Sequence, residues 1–211
     1  MPRKAFYRNQ GEALRHLKVG DIVFVHSKTL LGKAIRRTTG SYWSHVALVF
    51  DTPDISATKR DILIVEAAWQ IEIHRLSTYL LEPQTYDLGF KRMSCLTDEE
   101  RERFRGFFLD AVDTPYDTRR LLMFLFQSWL TWFYGVNVSL DVARQYTDTK
   151  NFICTSFAQR AYYLAVAPEK RGRSLFLGHN RNLDFLQIME QITPADIAQS
   201  KNTEWLFNPH R

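Results

Sequence analysis

Cysteine is scarce in this sequence, since the 211 residues include only Cys95 and Cys154. Two cysteines cannot form a disulfide framework, so we expect a protein held together by an apolar core in a reducing compartment. The spacings Cys-x-x-Cys and His-Glu-x-x-His are also absent, so the sequence predicts no metal site and no cofactor.

A strong excess of charge of one sign is also lacking. The formal net charge is +5, and the basic residues are densest from Lys33 to Arg37 and from Lys170 to Arg173. These clusters could contact phosphates or anionic lipid, but an ordinary solvated surface is the simpler interpretation. No nucleic-acid-binding motif is present, so we expect no nucleic acid as a partner.

Repeats, low-complexity segments and long flexible linkers are absent, so we expect one domain over residues 1–211. The N-terminal residues Met1–Arg8 include basic side chains but no following apolar core. We therefore expect no secretory signal peptide and a cytoplasmic location, with leaderless export left open.

The longest apolar stretch, Leu121 to Val138, carries no formal charge. Its length approaches that of a membrane span, but several polar residues and a glycine interrupt it. We expect an apolar helical insertion near 119–140 that is buried or half-buried in the fold. Contact with a membrane surface is the alternative, and a true transmembrane helix is the least favoured interpretation.

Hydrophobic periodicity predicts strands in the first half of the chain and helices in the second. The predicted strands are Ile22–His26, Ser44–Phe50, Asp61–Trp69, a half-exposed Ile71–Arg75, and Thr85–Ser94. The predicted helices are a turn at Leu30–Arg37, a short helix from Ser77 to Leu81 with Ser77 as its cap, a helix after the Thr97 capping box, Asn151–Leu164, and a last helix with Pro194 at its first position. This order predicts an α+β fold, with an antiparallel sheet or small barrel followed by helices.

Cys154 and His45 are the candidate nucleophile and base. Cys154 precedes Thr155 and Ser156 at the predicted start of an apolar helix, where the helix dipole lowers the pKa of a thiol. The simpler alternative is a small core residue. His45 follows small polar residues at the start of a strand, which would hold its ring rigidly and leave one nitrogen accessible. A satisfied core histidine is the alternative there.

Glu66 is the candidate orienting carboxylate, because a glutamate within Leu-Ile-Val-Glu-Ala-Ala is costly to bury without a partner. A structural salt bridge is the alternative, and Glu72 and Asp87 are weaker candidates. His26 and His74 compete with His45 for the role of base. The remaining histidines have polar surroundings and are predicted to lie on the surface: His16, His179 and His210.

The segment Thr114-Pro-Tyr-Asp117 also needs an interpretation. It could simply end a helix. Its position ahead of Cys154 also suggests that Tyr116 is a substrate-binding residue, as a wall of the site or as a hydroxyl donor.

Taken in order, several short motifs resemble the circularly permuted papain-fold cysteine peptidases, in particular the YiiX/YaeF group of the NlpC-like superfamily. They are Gly20-Asp-Ile-Val-Phe24, Ser44-His-Val-Ala-Leu48, Val65-Glu-Ala67, Pro115-Tyr-Asp117, Cys154-Thr-Ser156 and the closing segment Thr193–Ser200. The resemblance implies a circularly permuted papain-like fold with Cys154 as nucleophile, His45 as base and Glu66 as orienter. It also implies cleavage of amide bonds in cell-wall or related small peptides.

Three functions follow as hypotheses. The first is a thiol amidase or peptidase that acts through an acyl-enzyme. The second is a thiol-dependent lipid acyltransferase or lipase with the same site, in which 121–138 would hold an acyl chain or contact a membrane. The third is a binding module without activity. The expected partner is accordingly a small peptide or acyl substrate.

Overall fold

The computed structural model describes residues 7–53, 61–68, 70–93, 96–112, 154–174, 176 and 192–210. The strands are β1 (Ile22–Ser27), β2 (His45–Asp51), β3 (Leu63–Ala67), β4 (Ile71–Arg75), β5 (Tyr86–Met93) and β6 (Thr203–Phe207). The helices are α1 (Gln10–Arg15), α2 (Leu30–Thr39), α3 (Ser77–Leu80), α4 (Asp98–Ala111), α5 (Cys154–Ala165), α6 (Arg171–Ser174) and α7 (Pro194–Gln199), with a 3-10 turn at Pro168–Lys170.

The strands form an antiparallel sheet in the order β4-β3-β2-β1-β5-β6. Val25 of β1 pairs with His45 of β2, and Leu48 of β2 pairs with Val65 of β3. The end of β1, the start of β2 and the end of β3 therefore meet at one end of the sheet, which we call the His45 end. The predicted α+β fold with an antiparallel sheet is confirmed.

Alternate residues of the central strands face two separate apolar clusters, as the period of two in a strand requires. Val46 and Leu48 belong to the first cluster, together with aromatic side chains of α4 and α5. Ala47 and Val49 belong to the second cluster, together with Leu76 before α3. Both faces of β2 are buried, which explains why its sequence is continuously apolar.

Capping boxes start two of the helices. The sequence predicts the box at Thr97, and it predicts the other helix start from Pro194. The Thr97 hydroxyl accepts from the Glu100 N–H at 3.2 Å, and the Glu100 carboxylate accepts from the Thr97 N–H at 2.8 Å. Thr193 and Asp196 make the same pair of contacts at α7, with Pro194 in the first turn. These helix starts could be read from sequence because a capping box is a local interaction.

Gly20 positions α5 against the sheet. Its φ of 81° lies in the left-handed region, which is accessible to glycine at little cost. Its carbonyl accepts a hydrogen bond from the hydroxyl of Tyr162, a residue of α5. The turn that opens β1 is thereby tied to the helix that carries Cys154.

Lys91 of β5 fastens α7 and is almost fully buried. Its Nζ donates to the carbonyls of Ile197, Ala198 and Ser200 at 3.1, 2.8 and 3.1 Å. These carbonyls lie at the C-terminal end of α7, where backbone acceptors lack helical partners and a cation is favoured. The Nζ also lies 5.1 Å from the Trp205 ring centroid.

Some secondary-structure predictions need correction. Leu76, rather than Ser77, precedes the first residue of α3, and no side chain caps that helix. The predicted helical turn at Leu30–Arg37 is a helix that continues to Thr39 and ends at Gly40, whose φ is 58°. α1 and β6 were not predicted, because α1 buries only Ala13 and burial does not alternate regularly along β6, so neither has a clear hydrophobic period.

Several predictions fall outside the described residues: the insertion near 119–140, the surface contact through 121–138, Tyr116 and His179. No helix in the part of the chain that the structure describes has the length and apolar character needed to span a bilayer.

Candidate active site

The imidazole of His45 lies against the carboxylate of Glu66. His45 is the first residue of β2, Glu66 lies on the neighbouring β3, and His45 Nε2 is 2.9 Å from Glu66 Oε2. The His45 side chain is 21% exposed and that of Glu66 only 7%. With Nε2 engaged by the carboxylate, Nδ1 is the nitrogen left for a reacting group.

Ser44 holds the chain in place immediately before His45. Its hydroxyl donates to the Val25 carbonyl and accepts from the Ser27 N–H, both at 2.9 Å. Ser44 is buried, so these contacts replace water for groups at the end of β1. These hydrogen bonds to Val25 and Ser27 of β1 therefore fix the backbone that carries His45.

Cys154 reaches the same imidazole from the helical layer. Its thiol lies beside His45 and the backbone N–H of Val46, and both lower the pKa of the thiol. Cys154 packs against the first apolar cluster. Glu66 lies two residues after Ile64, on the face of β3 that contributes to the second cluster. His45 contacts both because it lies at the end of β2, where a side chain can bridge the two faces.

Charges set the ionisation of the thiol and the imidazole. Burial raises the pKa of the Cys154 thiol and the Glu66 charge adds to this, but His45 and the Val46 N–H outweigh both, leaving the pKa below its ordinary value. Burial lowers the pKa of His45, but Cys154 and Glu66 hold it well above its ordinary value. The arrangement thus favours a thiolate–imidazolium pair.

Glu66 has two further neighbours. The Tyr79 hydroxyl of α3 lies 3.0 Å from Oε1 and 2.9 Å from Oε2. His74 Nε2 of β4 lies 2.8 Å from Oε1, although its N–H direction does not give an aligned hydrogen bond. Burial opposes ionisation of Glu66, but His45 and His74 hold its pKa below the ordinary range.

The structure separates the three candidate bases. Only His45 contacts Cys154 among the described histidines. His74 lies behind Glu66, and His26 Nδ1 lies 2.9 Å from the Tyr42 carbonyl and 3.2 Å from Arg36. His16 and His210 are exposed, as predicted.

The weaker carboxylate candidates lie elsewhere. Glu72 pairs with Glu66 across β3 and β4 and is exposed. Asp87 Oδ1 is 2.9 Å from Lys28 Nζ, and its Oδ2 accepts from the Tyr42 hydroxyl at 3.0 Å. Of these three carboxylates, Glu66 is therefore the one that contacts His45.

Tyr79 was not identified from sequence. It lies in a four-residue helix that has no sequence motif of its own, and its contact with Glu66 depends on how α3 packs over the second cluster. No local signal could have identified it.

Comparison with known proteins places the chain in a family. The family described as permuted papain-like amidase enzymes, YaeF/YiiX, C92 family, matches residues 16–207. The chain belongs to this family. It is therefore an enzyme of the cysteine peptidase and amidase class, a class of hydrolases, as the sequence predicted.

A solved structure supports the permuted papain-like fold. The metalloprotein YiiX from Escherichia coli O157:H7 has a TM-score of 0.52 and 15% sequence identity, over 89% of this chain and 95% of that chain. At this identity the likeness concerns the fold alone. No curated protein matches the chain.

The printed name of the YiiX structure describes that protein as a metalloprotein. Among the described residues, no group of three or more His, Cys, Asp or Glu side chains is arranged to hold a metal ion. Both Glu66 oxygens already contact imidazoles, at 2.9 and 2.8 Å.

Proposed function

We propose that this enzyme hydrolyses an amide bond of a peptide or cell-wall-type peptide, with Cys154 as nucleophile, His45 as general base and acid, and Glu66 as orienter. The observation that carries the proposal is the position of the His45 imidazole, in contact with the Cys154 thiol and with the Glu66 carboxylate at 2.9 Å. Family membership supports the amide bond as the bond class.

In the first half of the reaction, the Cys154 thiolate attacks the amide carbonyl carbon and forms a tetrahedral oxyanion. The backbone N–H of Cys154 is suited to stabilise that oxyanion, because the first N–H groups of a helix lack helical acceptors. His45 then donates its proton to the amide nitrogen, the C–N bond breaks, and a thioester remains on Cys154.

In the second half, His45 is neutral and takes a proton from water. The hydroxide attacks the thioester carbon, the C–S bond breaks, and the acid product leaves. Glu66 stays ionised and keeps the proton of His45 Nε2 on its own side of the ring, so that Nδ1 serves the thiol. Tyr116 stays a predicted substrate contact, outside the described residues.

The experiment is hydrolysis of purified muropeptides and of fluorogenic dipeptide amides by wild type, Cys154→Ala and Cys95→Ala. We expect turnover by wild type and Cys95→Ala, and none by Cys154→Ala. Mass spectrometry of a rapidly quenched reaction should show an acyl group on Cys154. Equal turnover by Cys154→Ala would contradict the proposal, and a Cys154 that is no more reactive than Cys95 would favour a binding module.

A lipid substrate is the second candidate, favoured by the surface of α2. Leu30 is 85% and Leu31 49% exposed, and the helix has no acidic residue while Lys33 and Arg37 are exposed. The helix follows β1 and therefore lies at the His45 end of the sheet. Exposed leucines among basic residues are typical of contact with anionic lipid.

Vesicle co-sedimentation separates the two candidates. If the substrate is a lipid, wild type binds phosphatidylglycerol vesicles, and a double Leu30→Gln, Leu31→Gln variant binds about tenfold more weakly because apolar area is lost. Leu109→Gln on α4 is the matched control, since Leu109 is 61% exposed. Absence of binding by wild type would count against the lipid substrate.

A further inference from the structure

Glu66 joins two imidazoles rather than one. Its Oε2 faces His45 Nε2 at 2.9 Å, and its Oε1 faces His74 Nε2 at 2.8 Å. The proposed catalytic roles involve only the first contact. The second needs its own explanation, because His74 does not touch Cys154 and the Tyr79 hydroxyl already contacts both carboxylate oxygens.

The contact between His74 and Glu66 depends on the charge of His74. The separation is that of an ion pair, although the N–H direction does not give an aligned hydrogen bond. Because a contact to a charged group is stronger than one to a neutral group, Glu66 holds the protonated form of His74 more tightly than the neutral form. Because the His74 side chain is 26% exposed and that of Glu66 is 7%, His74 can exchange protons with solvent more readily than the carboxylate can.

We propose that His74 is a positioning residue that shares the Glu66 carboxylate with His45, so that protonation of His74 weakens the hold of Glu66 on the His45 imidazolium. A positive charge on His74 offsets part of the negative charge that His45 experiences. As the pH falls, His74 takes up a proton and the proton affinity of His45 decreases. The effect on catalysis rests on the proposed function, whereas the coupling between the two histidines does not.

The other titratable groups around this chain of contacts are few. In the described residues they are Cys154 of α5 facing His45, Glu72 of β4 facing His74, Tyr79 of α3 facing Glu66, and Tyr86 of β5 facing Tyr79. The contact with Glu66 raises the pKa of His74, against its burial. The Cys154 thiol is the one group that would titrate together with His45, so the test removes it.

The test is a double-mutant cycle followed by NMR titration of the imidazole carbon-bound protons, in a Cys154→Ala background. We expect the two protonations to be coupled about fivefold, because each positive charge is partially screened from the other. The coupling is reciprocal, but it appears mainly in the histidine that takes up its proton second, at the lower pH, since the other is then already charged. Replacing the partner, by His74→Gln or His45→Gln, should increase that second proton affinity about fivefold. The exposed His16 provides the control, since His16→Gln should change neither titration.

A purely structural role for His74 would not raise the proton affinity of one histidine when the other is replaced. The inference is overturned if neither His74→Gln nor His45→Gln increases the proton affinity of the remaining histidine, or if either replacement decreases it. His74→Asn serves as a second variant if His74→Gln does not fold. Because the background has no nucleophile, coupling without hydrolysis by the wild type would overturn the proposed function alone, and hydrolysis without coupling would overturn this inference alone.

Discussion

The Tyr79 hydroxyl bridges the two carboxylate oxygens of Glu66, at 3.0 and 2.9 Å. This contact fixes the orientation of the buried Glu66 carboxylate, whose other neighbours are His45 and His74. The nearby Glu66 charge adds to burial in raising the pKa of Tyr79, so the hydroxyl stays protonated and can donate. Orientation of Glu66 therefore depends on a residue from a different element, α3.

Tyr79→Phe should lower kcat about tenfold, because an unrestrained Glu66 orients His45 less well, a loss equivalent to one hydrogen bond to a charged group. Steady-state hydrolysis measures it. Tyr86→Phe is the matched control, since the Tyr86 ring packs against Tyr79 with centroids 4.9 Å apart. Equal rates for Tyr79→Phe and wild type would show that the bridge has no part in catalysis.

Alkylation of Cys154 by iodoacetamide should be fast well below pH 8. In His45→Ala the half-maximal rate should move to higher pH, because burial then acts on the thiol without the opposing imidazolium. Mass spectrometry at a series of pH values measures both cysteines, with Cys95 as internal reference. Superimposable curves for the two proteins would contradict the thiolate–imidazolium pair.

Glu100→Gln should reduce the free energy of unfolding at pH 7 by about 2 kcal/mol, as expected for hydrogen bonds to a buried charge. Burial opposes its ionisation, but contacts with Thr97, Lys170 and Ala167 lower the pKa of Glu100 from 4.5 to about 2. A lowered folded-state pKa stabilises the protein above the unfolded value, and this contribution disappears as the pH falls through the folded value. The difference from wild type should thus narrow between pH 4.5 and about 2.

Urea unfolding at several pH values measures this difference. Glu102→Gln is the control on the same helix, since its side chain is 65% exposed and pairs with Arg105 at the surface. If the free energies of unfolding of Glu100→Gln and wild type differed by the same amount at every pH, the lowered pKa of Glu100 would be contradicted.

Lys91→Met should reduce the free energy of unfolding by about 3 kcal/mol, because three helix-terminal carbonyls lose their buried donor. Thermal and urea unfolding measure it. Lys201→Met is a suitable control because Lys201 is exposed. A loss below about 0.5 kcal/mol, the usual range for surface changes, would show that water replaces Lys91.

The parts of the fold that could be predicted from the sequence depend on local interactions. The capping boxes of Thr97 and Thr193 involve residues three positions apart, and the apolar run of β2 reports burial on both faces. These patterns were enough for an antiparallel sheet followed by helices. β6 could not be read in this way, because burial does not alternate regularly along its five residues and only its pairing with β5 identifies it as a strand.

In the candidate site, too, local sequence patterns predicted some features and could not predict others. The sequence by itself determined that Cys154 precedes an apolar helix segment, that His45 starts a strand, and that Glu66 interrupts an apolar run, because each is a statement about near neighbours. Only the tertiary structure decided that His45, rather than His26 or His74, contacts Cys154, and that Tyr79 and His74 share Glu66. The physical reason is that strand register and helix packing set distances between residues that are remote in sequence, and no local pattern encodes those distances.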